Sequence, residues 1–374
     1  MMAPADRYDA IVVGGGVAGG AAALFLVQRG KRVLLLERDR VGARASGVNF
    51  GGVRQQGRDL REIPLSHLAR RIWGDLPRHV GIDGERLFTG HLRLARSEAD
   101  LAVLETYRAE AGAIGLELEL IGRNALRERY PWIGPAVLGG SLCATDGQAN
   151  PRLVGPAFAL AAARAGATLR EGAEVVAAER EPDGFRVALA DGSAARGDVL
   201  VNAAGAWAGG LAALLGDPIA LEPRIPQVLV TEPARHRVEP VLGVVGGELY
   251  LRQVQRGNLI FGTVDRLASG DYRLTRPTPE MARLSAGAAF SIVPELGNLA
   301  VIRSWTGVDG YMADGVPVIG ESATVPGLFH GFGFCGHGFQ LGPAAGYVLA
   351  ELIATGRTET EIGGLSPRRL ASIR

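Results

Sequence analysis

Lysine is nearly missing from this sequence. Of its 40 basic residues only Lys31 is a lysine, and all the others are arginine. Catalysis through a Schiff base or a lysine general base needs a buried amine with a lowered pKa. Lys31 follows Gly30 in a predicted surface turn, so the sequence argues strongly against lysine-dependent chemistry.

Cysteine and long apolar runs are also scarce. The two cysteines, Cys143 and Cys335, form no Cys-x-x-Cys pair, which argues against a disulfide framework, an iron–sulfur cluster or any other metal site. Residues 1–9 lack the basic start and apolar stretch of a signal peptide, and no run of about 18 apolar residues occurs. These absences predict a cytoplasmic protein without a bound metal.

Charge of one sign is not in excess either. The 40 basic residues are matched by 39 acidic ones, and the net charge of +1 leaves no general surplus for binding a nucleic acid or an anionic membrane.

The chain is long and rich in apolar residues, with 374 residues of which 47% are hydrophobic. A chain of this size can bury two cores, so we expect two domains.

The strongest local pattern lies at the start of the chain. A predicted strand over residues 8–13 runs into Gly14, Gly16 and Gly19, which have the G-x-G-x-x-G spacing. A predicted helix and a second strand follow, and that strand ends at Glu37. In such a βαβ unit the glycines let a pyrophosphate approach the backbone, and the terminal acid binds ribose hydroxyls. The pattern predicts dinucleotide binding.

Segments typical of nucleotide binding recur in the middle and at the end of the chain. A strand-rich stretch between them is typical of a separate sheet. We therefore predict an α/β fold in which a Rossmann-like domain is interrupted by a second, α+β domain with a mostly antiparallel sheet. The predicted boundaries place residues 1–83, 141–217 and 305–374 in the first domain, and residues 84–140 and 218–304 in the second.

Five motifs occur in order along nearly the whole chain. They are Gly14–Glu37, Ala45–Arg54, Asp146–Pro151, Val201–Trp207, and Trp305–Gly320 together with Gly331–Pro343. In this order they resemble the flavin-dependent D-amino-acid oxidase superfamily, which includes glycine oxidase, monomeric sarcosine oxidase and related amine dehydrogenases. The resemblance implies FAD as the cofactor and makes the first predicted domain the FAD-binding domain and the second the substrate domain.

The resemblance also implies which residues bind FAD. They are Gly14, Gly16, Val17, Ala18, Gly19, Glu37, Arg38, Ala45, Ser46, Gly51, Gly52, Val53, Val175, Ala204, Gly205, Trp207, Gly336, His337, Gly338, Phe339 and Gln340. In sarcosine oxidases the cysteine that tethers the flavin lies near the segment that here reads Trp305–Gly307, which contains no cysteine. FAD is therefore expected to be held non-covalently, with Cys335 as a small core residue.

A helix is predicted over residues 341–353, just after Gly336, His337 and Gly338. Free backbone N–H groups gather at such a helix start and favour negative charge. In the relatives this helix end faces the flavin, where it stabilises the reduced anion. His337 either adds a further donor or is a spacer whose imidazole packs elsewhere.

Three positions depart from the relatives. Asp309 stands where glycine oxidases have an arginine that grips the substrate carboxylate. Gln340 stands where sarcosine oxidases have a lysine that helps to hold it, and Ile260 aligns with the lysine that promotes their reaction with oxygen. The resemblance therefore implies a dehydrogenase or a slow oxidase. Trp305 and Tyr311 either form a wall of the pocket or belong to the core.

Two arginines remain as candidates for binding a substrate carboxylate. Arg54 matches an active-site arginine of the sarcosine oxidases if one residue is inserted, and Arg252 lies beside Tyr250 on a predicted strand. A guanidinium can bind a carboxylate through two hydrogen bonds, but either arginine could instead form an ordinary ion pair. Asp309 either pairs with one of them or binds a second cationic group of the substrate. The candidate catalytic residues are Arg54, Tyr250, Arg252, Asp309 and His337.

The main functional hypothesis is an FAD-dependent oxidoreductase that takes a hydride from the C–H bond beside the nitrogen of an amine or amino acid, after which water hydrolyses the imine. Two alternatives stay open. One is a 2-hydroxy-acid oxidoreductase on the same fold. The other is the flavoprotein subunit of an opine- or hydroxyproline-type dehydrogenase. The expected partners are the small substrate, an acceptor that is O2, a respiratory carrier or a partner subunit, and either a second copy of the chain or an iron–sulfur subunit.

Overall fold

The computed structural model describes residues 7–263, 266–268 and 272–372. Its strands, in chain order, are β1 Arg7–Val13, β2 Val33–Leu36, β3 Gly52–Val53, β4 His91–Ala95, β5 Glu119–Gly122, β6 Gly139–Cys143, β7 Gly147–Gln148, β8 Thr168–Arg170, β9 Val175–Glu181, β10 Gly184–Leu189, β11 Ala194–Asn202, β12 Glu222–Ile225, β13 Gln227–Pro233, β14 Val241–Val244, β15 Tyr250–Gln253, β16 Asn258–Gly262, β17 Arg266–Leu267, β18 Val301–Thr306, β19 Asp309–Tyr311, β20 Val318–Glu321 and β21 Leu328–Phe332.

The α-helices lie mainly in the segments that flank the first sheet. In chain order they are α1 Val17–Gln28, α2 Ala45–Val48, α3 Ile63–Gly74, α4 Leu76–Val80, α5 Glu98–Gly112, α6 Arg123–Arg129, α7 Pro151–Arg164, α8 Ala208–Leu214, α9 Pro279–Ile292 and α10 Gly338–Thr355. The helix predicted over 341–353 begins three residues earlier than expected. His337 is its N-cap, and Gly338 is its first helical residue.

The first sheet is Rossmann-like. Its strands follow the order β20-β21-β11-β1-β2-β8, and the pairs from β21 to β8 are parallel. The hairpin of β9 and β10 joins the sheet through the first half of β11. All residues of β2, and most of β1, are buried, as expected for strands covered on both faces.

Helix α1 packs closely between α7 and α10. A Cβ atom at Gly20 would lie 2.6 Å from the Ala159 backbone nitrogen in α7, and one at Gly346 would lie 2.4 Å from the Ala22 backbone nitrogen in α1. These glycines therefore allow the helix backbones to approach one another. The close packing sets the start of α10 beside the glycine turn between β1 and α1.

The second sheet follows the order β18-β13-β16-β15-β14-β4-β6-β5 and is antiparallel except for the pair of β14 and β4. Strand β4 alternates in its environment. Leu92 and Leu94 belong to the core of this sheet, whereas His91 and Arg93 face a large cavity on its other side. The predicted α/β fold with a mostly antiparallel second sheet is confirmed.

Two strands of the second sheet cross the predicted domain boundaries. Strand β6 pairs with β4 and β5 over Gly139–Cys143, and β18 pairs with β13 up to Thr306. The predicted boundaries cut both strands, because pairing along a whole strand depends on distant segments that the local sequence does not reveal. The division of the chain into domains stays a prediction.

A buried network joins the segment after α8 to β20 and β21. The Asp217 carboxylate accepts hydrogen bonds from Ser322 Oγ at 2.6 Å and from Thr324 Oγ1 at 3.1 Å. It lies 2.9 Å from Nε2 of the fully buried His330. The hydrogen bond with His330 and those from the hydroxyls outweigh the effect of burial and lower the pKa of Asp217 to about 2.

Asp217→Asn is expected to lower the free energy of unfolding at pH 7 by about 2 kcal/mol. In the folded protein the pKa of Asp217 lies below the ordinary value of 3.8. The contribution of the ionised Asp217 to the free energy of unfolding is therefore fully present above about pH 4 and is lost as the pH falls towards 2. Chemical unfolding at pH 7 and in acid measures this difference. The exposed Asp183→Asn is the matched control, and equal stability of the two variants at pH 7 would contradict the prediction.

Candidate active site

A cavity of about 800 Å³ lies between the first sheet and the second. The glycine turn after β1, the short helix α2 and the start of α10 line it from the side of the first sheet. Strands β4 and β14 and the first residue of β15 line it from the other side. The cavity is therefore formed by segments that are far apart in the sequence.

The glycine turn presents its backbone to the cavity. Gly14 has a φ of 110°, and a Cβ atom there would lie 2.2 Å from the Ala203 carbonyl oxygen. A Cβ atom at Gly16 would lie 2.7 Å from Ser46 Oγ, which accepts a hydrogen bond from the Val17 N–H at 2.9 Å. Side chains are thereby excluded from the turn, which leaves a surface suited to a pyrophosphate.

Glu37 and Trp207 line the same cavity. The Glu37 carboxylate accepts hydrogen bonds from the backbone N–H groups of Gly15 and Asp39, each at 2.8 Å. The Arg38 guanidinium lies 4.3 Å from the centre of the Trp207 ring. An oriented carboxylate beside a cationic and an aromatic group is an arrangement that can hold the ribose and base of an adenosine.

The start of α10 also lines the cavity, through Gly338 and Phe339. Their N–H groups lie in the first helical turn, which provides no intrahelical acceptor for them. The Gly336 N–H, by contrast, donates to Asp309 Oδ2 at 2.7 Å, and Asp309 Oδ1 accepts from the Gly310 N–H at 2.9 Å. Of the predicted donors, Gly336 is thus already bound to a carboxylate.

His337 is held by a carboxylate that sequence reasoning missed. Its Nδ1 lies 3.1 Å from both carboxylate oxygens of Glu62, whose side chain is fully buried. Burial lowers the pKa of His337 to about 4, and the charges of Arg58 and Arg54 act in the same direction. Burial opposes ionisation of Glu62, but the hydrogen bond from His337 and the charge of Arg58 keep its pKa below the usual value. His337 is therefore neutral at pH 7 and donates through Nδ1.

Most of the predicted site residues share this cavity. Those that line it are Gly14, Gly16, Ala18, Glu37, Arg38, Ala45, Ser46, Gly51, Gly52, Arg54, Val175, Ala204, Gly205, Trp207, Tyr250, Asp309, Gly336, His337, Gly338 and Phe339. Five predicted residues lie behind the lining, namely Val17, Gly19, Val53, Arg252 and Gln340.

These five residues support the wall rather than form it. A Cβ atom at Gly19 would lie 1.9 Å from the Gly14 carbonyl oxygen, so this glycine allows the turn to pack on α1. Val53 is buried, and the Gln340 amide donates to the Ser66 carbonyl oxygen at 3.1 Å. The sequence pattern did not show which of the predicted side chains turn away from the cavity.

Arg252 is the candidate whose placement differs most from the expectation. It is buried, and its Nη1 donates to Gln148 Oε1 at 2.8 Å and to the Ala149 carbonyl oxygen at 3.2 Å. Gly51, where a Cβ atom would lie 2.6 Å from Arg252 Nη2, borders the cavity beside this guanidinium. Burial lowers the pKa of Arg252 to about 9. This placement favours a supporting role over direct substrate binding.

Aromatic residues form part of the wall. Phe50 and Tyr250 both line the cavity with their ring centres 4.6 Å apart, and the Tyr250 hydroxyl donates to the Gln227 carbonyl oxygen at 3.2 Å. Tyr311 lines the cavity as well. Trp305 does not line the cavity; its indole N–H donates to the Val48 carbonyl oxygen at 2.7 Å.

The cavity also contains basic residues that sequence reasoning did not single out. Arg58, His91 and Arg93 line it together with Arg54. A signal was present in the segment His91–Ala95, where an arginine stands between two leucines of a strand. Alternation places such an arginine on the face opposite the core. Which cavity that face borders depends on long-range strand pairing.

Cys335 borders the cavity too. It donates to the Gly333 carbonyl oxygen at 3.2 Å, and its sulfur accepts from the Met312 N–H at 3.3 Å. Burial raises the pKa of Cys335 to about 12. Since the thiolate is the nucleophilic form of cysteine, this protonated thiol is poorly suited to forming a covalent bond to a cofactor.

Neither a metal centre nor a membrane-spanning helix is found among the described residues. They contain no cluster of three or more His, Cys, Asp and Glu side chains arranged to hold a metal ion. Among the described helices, none combines the length and the apolar character needed to cross a membrane. The predicted cytoplasmic location stays a prediction.

Comparison with known proteins agrees with this geometry. The sequence profile of the family described as DAO, FAD dependent oxidoreductase, matches residues 9–352. The chain is 30% identical to a subunit of opine oxidase from Rhizobium meliloti, over 97% of this chain and 98% of that protein. It is 26% identical to glycine oxidase of Geobacillus kaustophilus over 97% of each chain. The crystal structure of L-proline dehydrogenase from P. horikoshii matches with a TM-score of 0.92 and 28% identity, over 99% of this chain and 100% of that one.

These findings define an FAD-dependent oxidoreductase. The chain belongs to the DAO family, so the predicted family and the predicted cofactor are confirmed. The cavity fits FAD, because a side-chain-free glycine turn, the Glu37 carboxylate and the start of α10 all border one continuous space. We infer that Glu37, the turn at Gly14 and Gly16, and Gly338 hold the cofactor.

Proposed function

We propose that the protein oxidises an amino acid, or a closely related amine, at the C–H bond beside its nitrogen, and that Arg54 binds the substrate carboxylate. One observation carries this proposal. The Arg54 guanidinium lines the cavity, and its hydrogen bond to a protein group goes to the Gln56 carbonyl oxygen at 2.6 Å. Within the described residues no carboxylate lies at salt-bridge distance from it. It is thus available to an anionic ligand.

FAD, when bound, supplies the hydride acceptor of the reaction. The chain itself binds and orients the substrate and keeps water from the reacting carbon. Arg54 fixes one end of the substrate, and the rings of Phe50 and Tyr250 restrict its position laterally. The N–H groups at the start of α10 favour negative charge in the cavity. Because His337 is neutral at pH 7, it adds no positive charge that would repel a substrate ammonium.

The relatives support an amine or amino acid as the substrate. Their names denote an opine oxidase subunit, a glycine oxidase and an L-proline dehydrogenase.

We further propose that FAD is bound non-covalently, since Cys335 holds a protonated thiol and Cys143 is buried away from the cavity.

A second candidate function is that of the flavoprotein subunit in a larger dehydrogenase. The observation that favours it is the similarity to an opine oxidase subunit along the whole of both chains. Purification from the native host under mild conditions tests it. A companion present in equal amount, with the absorption of an iron–sulfur cluster, is the expected result of the subunit hypothesis. A chain that purifies alone and turns over with a simple electron acceptor would contradict it.

The proposed reaction is tested by mixing the flavin-loaded protein anaerobically with amino acids, N-alkyl amino acids and 2-hydroxy acids. We expect substrates with a C–H bond beside nitrogen to bleach the flavin absorption band, and the matching hydroxy acids to leave it unchanged. Bleaching by hydroxy acids alone would overturn the proposal in favour of a 2-hydroxy-acid oxidoreductase.

Admission of air to the reduced protein then tests the choice of acceptor. Ile260, on β16, stands where the sarcosine oxidases have an oxygen-activating lysine, and the sequence has no lysine besides Lys31. We therefore expect the reduced flavin to be reoxidised by O2 no faster than free reduced flavin. Markedly faster reoxidation would show that the protein is an efficient oxidase by another route.

A further inference from the structure

A second guanidinium faces the cavity beside Arg54. Arg93, on β4, projects from the sheet face opposite Leu92 and Leu94 and lines the cavity. Gly57 has a φ of 72°, and a Cβ atom there would lie 3.3 Å from Arg93 Nη1 and 3.4 Å from Arg54 Nη1. Both guanidinium groups thus approach the same point, and the glycine keeps the space between them open.

The charge of Arg93 is not neutralised by an acid. Among the described residues no carboxylate lies within salt-bridge distance of Arg93, and its guanidinium carbon lies 5.9 Å from the centre of the Tyr107 ring. Burial and the charge of Arg54 both lower the pKa of Arg93. Two neighbouring cations that are partly removed from water favour an anion between or beside them.

The surroundings add to the positive charge. Arg58 is 4% exposed and donates to the Arg54 carbonyl oxygen at 2.7 and 2.9 Å, while its Nη1 has no hydrogen-bond acceptor in the described part of the chain. Glu62, which lies near Arg58, is hydrogen-bonded to His337. His91 is buried, and burial together with the charges of Arg54 and Arg93 keeps its pKa well below 6.5. Because Glu62 is paired with His337, it leaves Arg54 and Arg93 available to an anion.

We propose that Arg93 binds a second carboxylate of the substrate, so that the preferred substrates are amino acids with two carboxylates, such as N-carboxyalkyl amino acids. This inference rests on the proposed function, in which Arg54 binds the first carboxylate. Each guanidinium can bind a carboxylate through two hydrogen bonds. A monocarboxylic amino acid would leave the Arg93 charge without an anionic partner.

Inert ligands test the binding site without turnover. Glutarate and butyrate have the carbon skeletons of iminodiacetate and N-methylglycine with the nitrogen replaced by carbon, and they differ by one carboxylate. Titration of the flavin-loaded protein, followed through the flavin absorption spectrum, should give a glutarate dissociation constant about 10- to 100-fold lower than that of butyrate. In Arg93→Met this preference should disappear while butyrate binds as before.

Two further variants serve as controls. Arg93→Lys keeps the charge but not the planar donor pair, so it should retain part of the preference. Arg129→Met removes an exposed arginine that pairs with Glu119 at 3.0 Å on the surface, and it should bind both ligands as the unaltered protein does. Flavin content per chain, measured for each variant, shows whether the folded site is intact.

Flavin reduction by iminodiacetate and by N-methylglycine extends the test to substrates. Arg93→Met should lower the efficiency of reduction by iminodiacetate about 10- to 100-fold and leave reduction by N-methylglycine unchanged. Equal losses of reduction efficiency for the two substrates would show that Arg54 and Arg93 hold one carboxylate together. No loss of efficiency for either substrate would show that Arg93 binds no substrate. Each of these results would overturn the inference. If no amine reduces the flavin, the proposed function fails, while the glutarate titration still decides whether Arg93 binds a carboxylate.

Discussion

Arg54→Met is expected to lower the efficiency of flavin reduction by an amino acid about 100-fold, with no change in flavin content. The loss corresponds to about 3 kcal/mol, the upper end of what hydrogen bonds to a charged group contribute. Arg58 donates to the backbone carbonyl of residue 54, and this bond does not depend on the Arg54 side chain. The substitution should therefore leave the local chain in place. Rapid anaerobic mixing over a range of substrate concentrations measures the effect.

Two comparisons make the Arg54 result specific. Arg54→Lys, which keeps a positive charge without the paired donors, should lose less than the methionine variant. Release of FAD from Arg54→Met would instead assign this arginine to the cofactor. Unchanged reduction kinetics with full flavin content would remove Arg54 from the site altogether and with it the main support for the proposed function.

Glu37→Leu is expected to raise the dissociation constant for FAD about 100-fold. The carboxylate now accepts hydrogen bonds from the N–H groups of Gly15 and Asp39, so it orders the glycine turn as well as offering acceptors to a ribose. Removing a charged acceptor and leaving backbone donors unpaired contributes about 3 kcal/mol. Titration of the apoprotein with FAD, followed by quenching of flavin fluorescence, measures the constant.

The loss of affinity should follow the acceptor atoms rather than the negative charge alone. Glu37→Gln keeps one carbonyl oxygen and should show a smaller increase in the dissociation constant. Glu119→Leu, on the exposed surface, should show none. An unaltered FAD affinity in Glu37→Leu would contradict this prediction, since it would mean that the carboxylate orders the glycine turn without contributing to FAD binding.

Local pattern was sufficient to predict the glycine turn and the acid beside it, and the role of these residues in binding FAD stays a prediction. The turn at Gly14, Gly16 and Gly19 follows a strand and precedes a helix, so its conformation and its close contacts are determined within a few residues and one βαβ unit. Glu37 likewise follows directly after the second strand of that unit, which ends at Leu36. Such features are visible in a single sequence because geometry and spacing are linked over a short stretch of chain.

The substrate half depended on contacts that the sequence does not encode locally. Tyr250 and Arg252 lie two residues apart on β15, yet one borders the cavity and the other bonds to Gln148 behind it. Glu62 meets His337 across 275 positions of chain. Arg93 borders the cavity because β4 joins the second sheet between β14 and β6. In each case contacts between segments far apart in the chain determine what the side chain meets.

The tight packing of α1 against α7 and α10 fixes the distance between the glycine turn and the start of α10. The glycine turn lies at one end of α1, and α10 starts alongside it, where a Cβ atom at Gly342 would lie 3.2 Å from the Ala18 backbone nitrogen. With Gly20 and Gly346 holding the helices at minimum separation, neither start can shift without moving the other. The distance between the glycine turn and the N–H groups at the start of α10, the two segments that we infer hold the cofactor, is thus set by helix backbones in contact and not by the side chains that border the cavity.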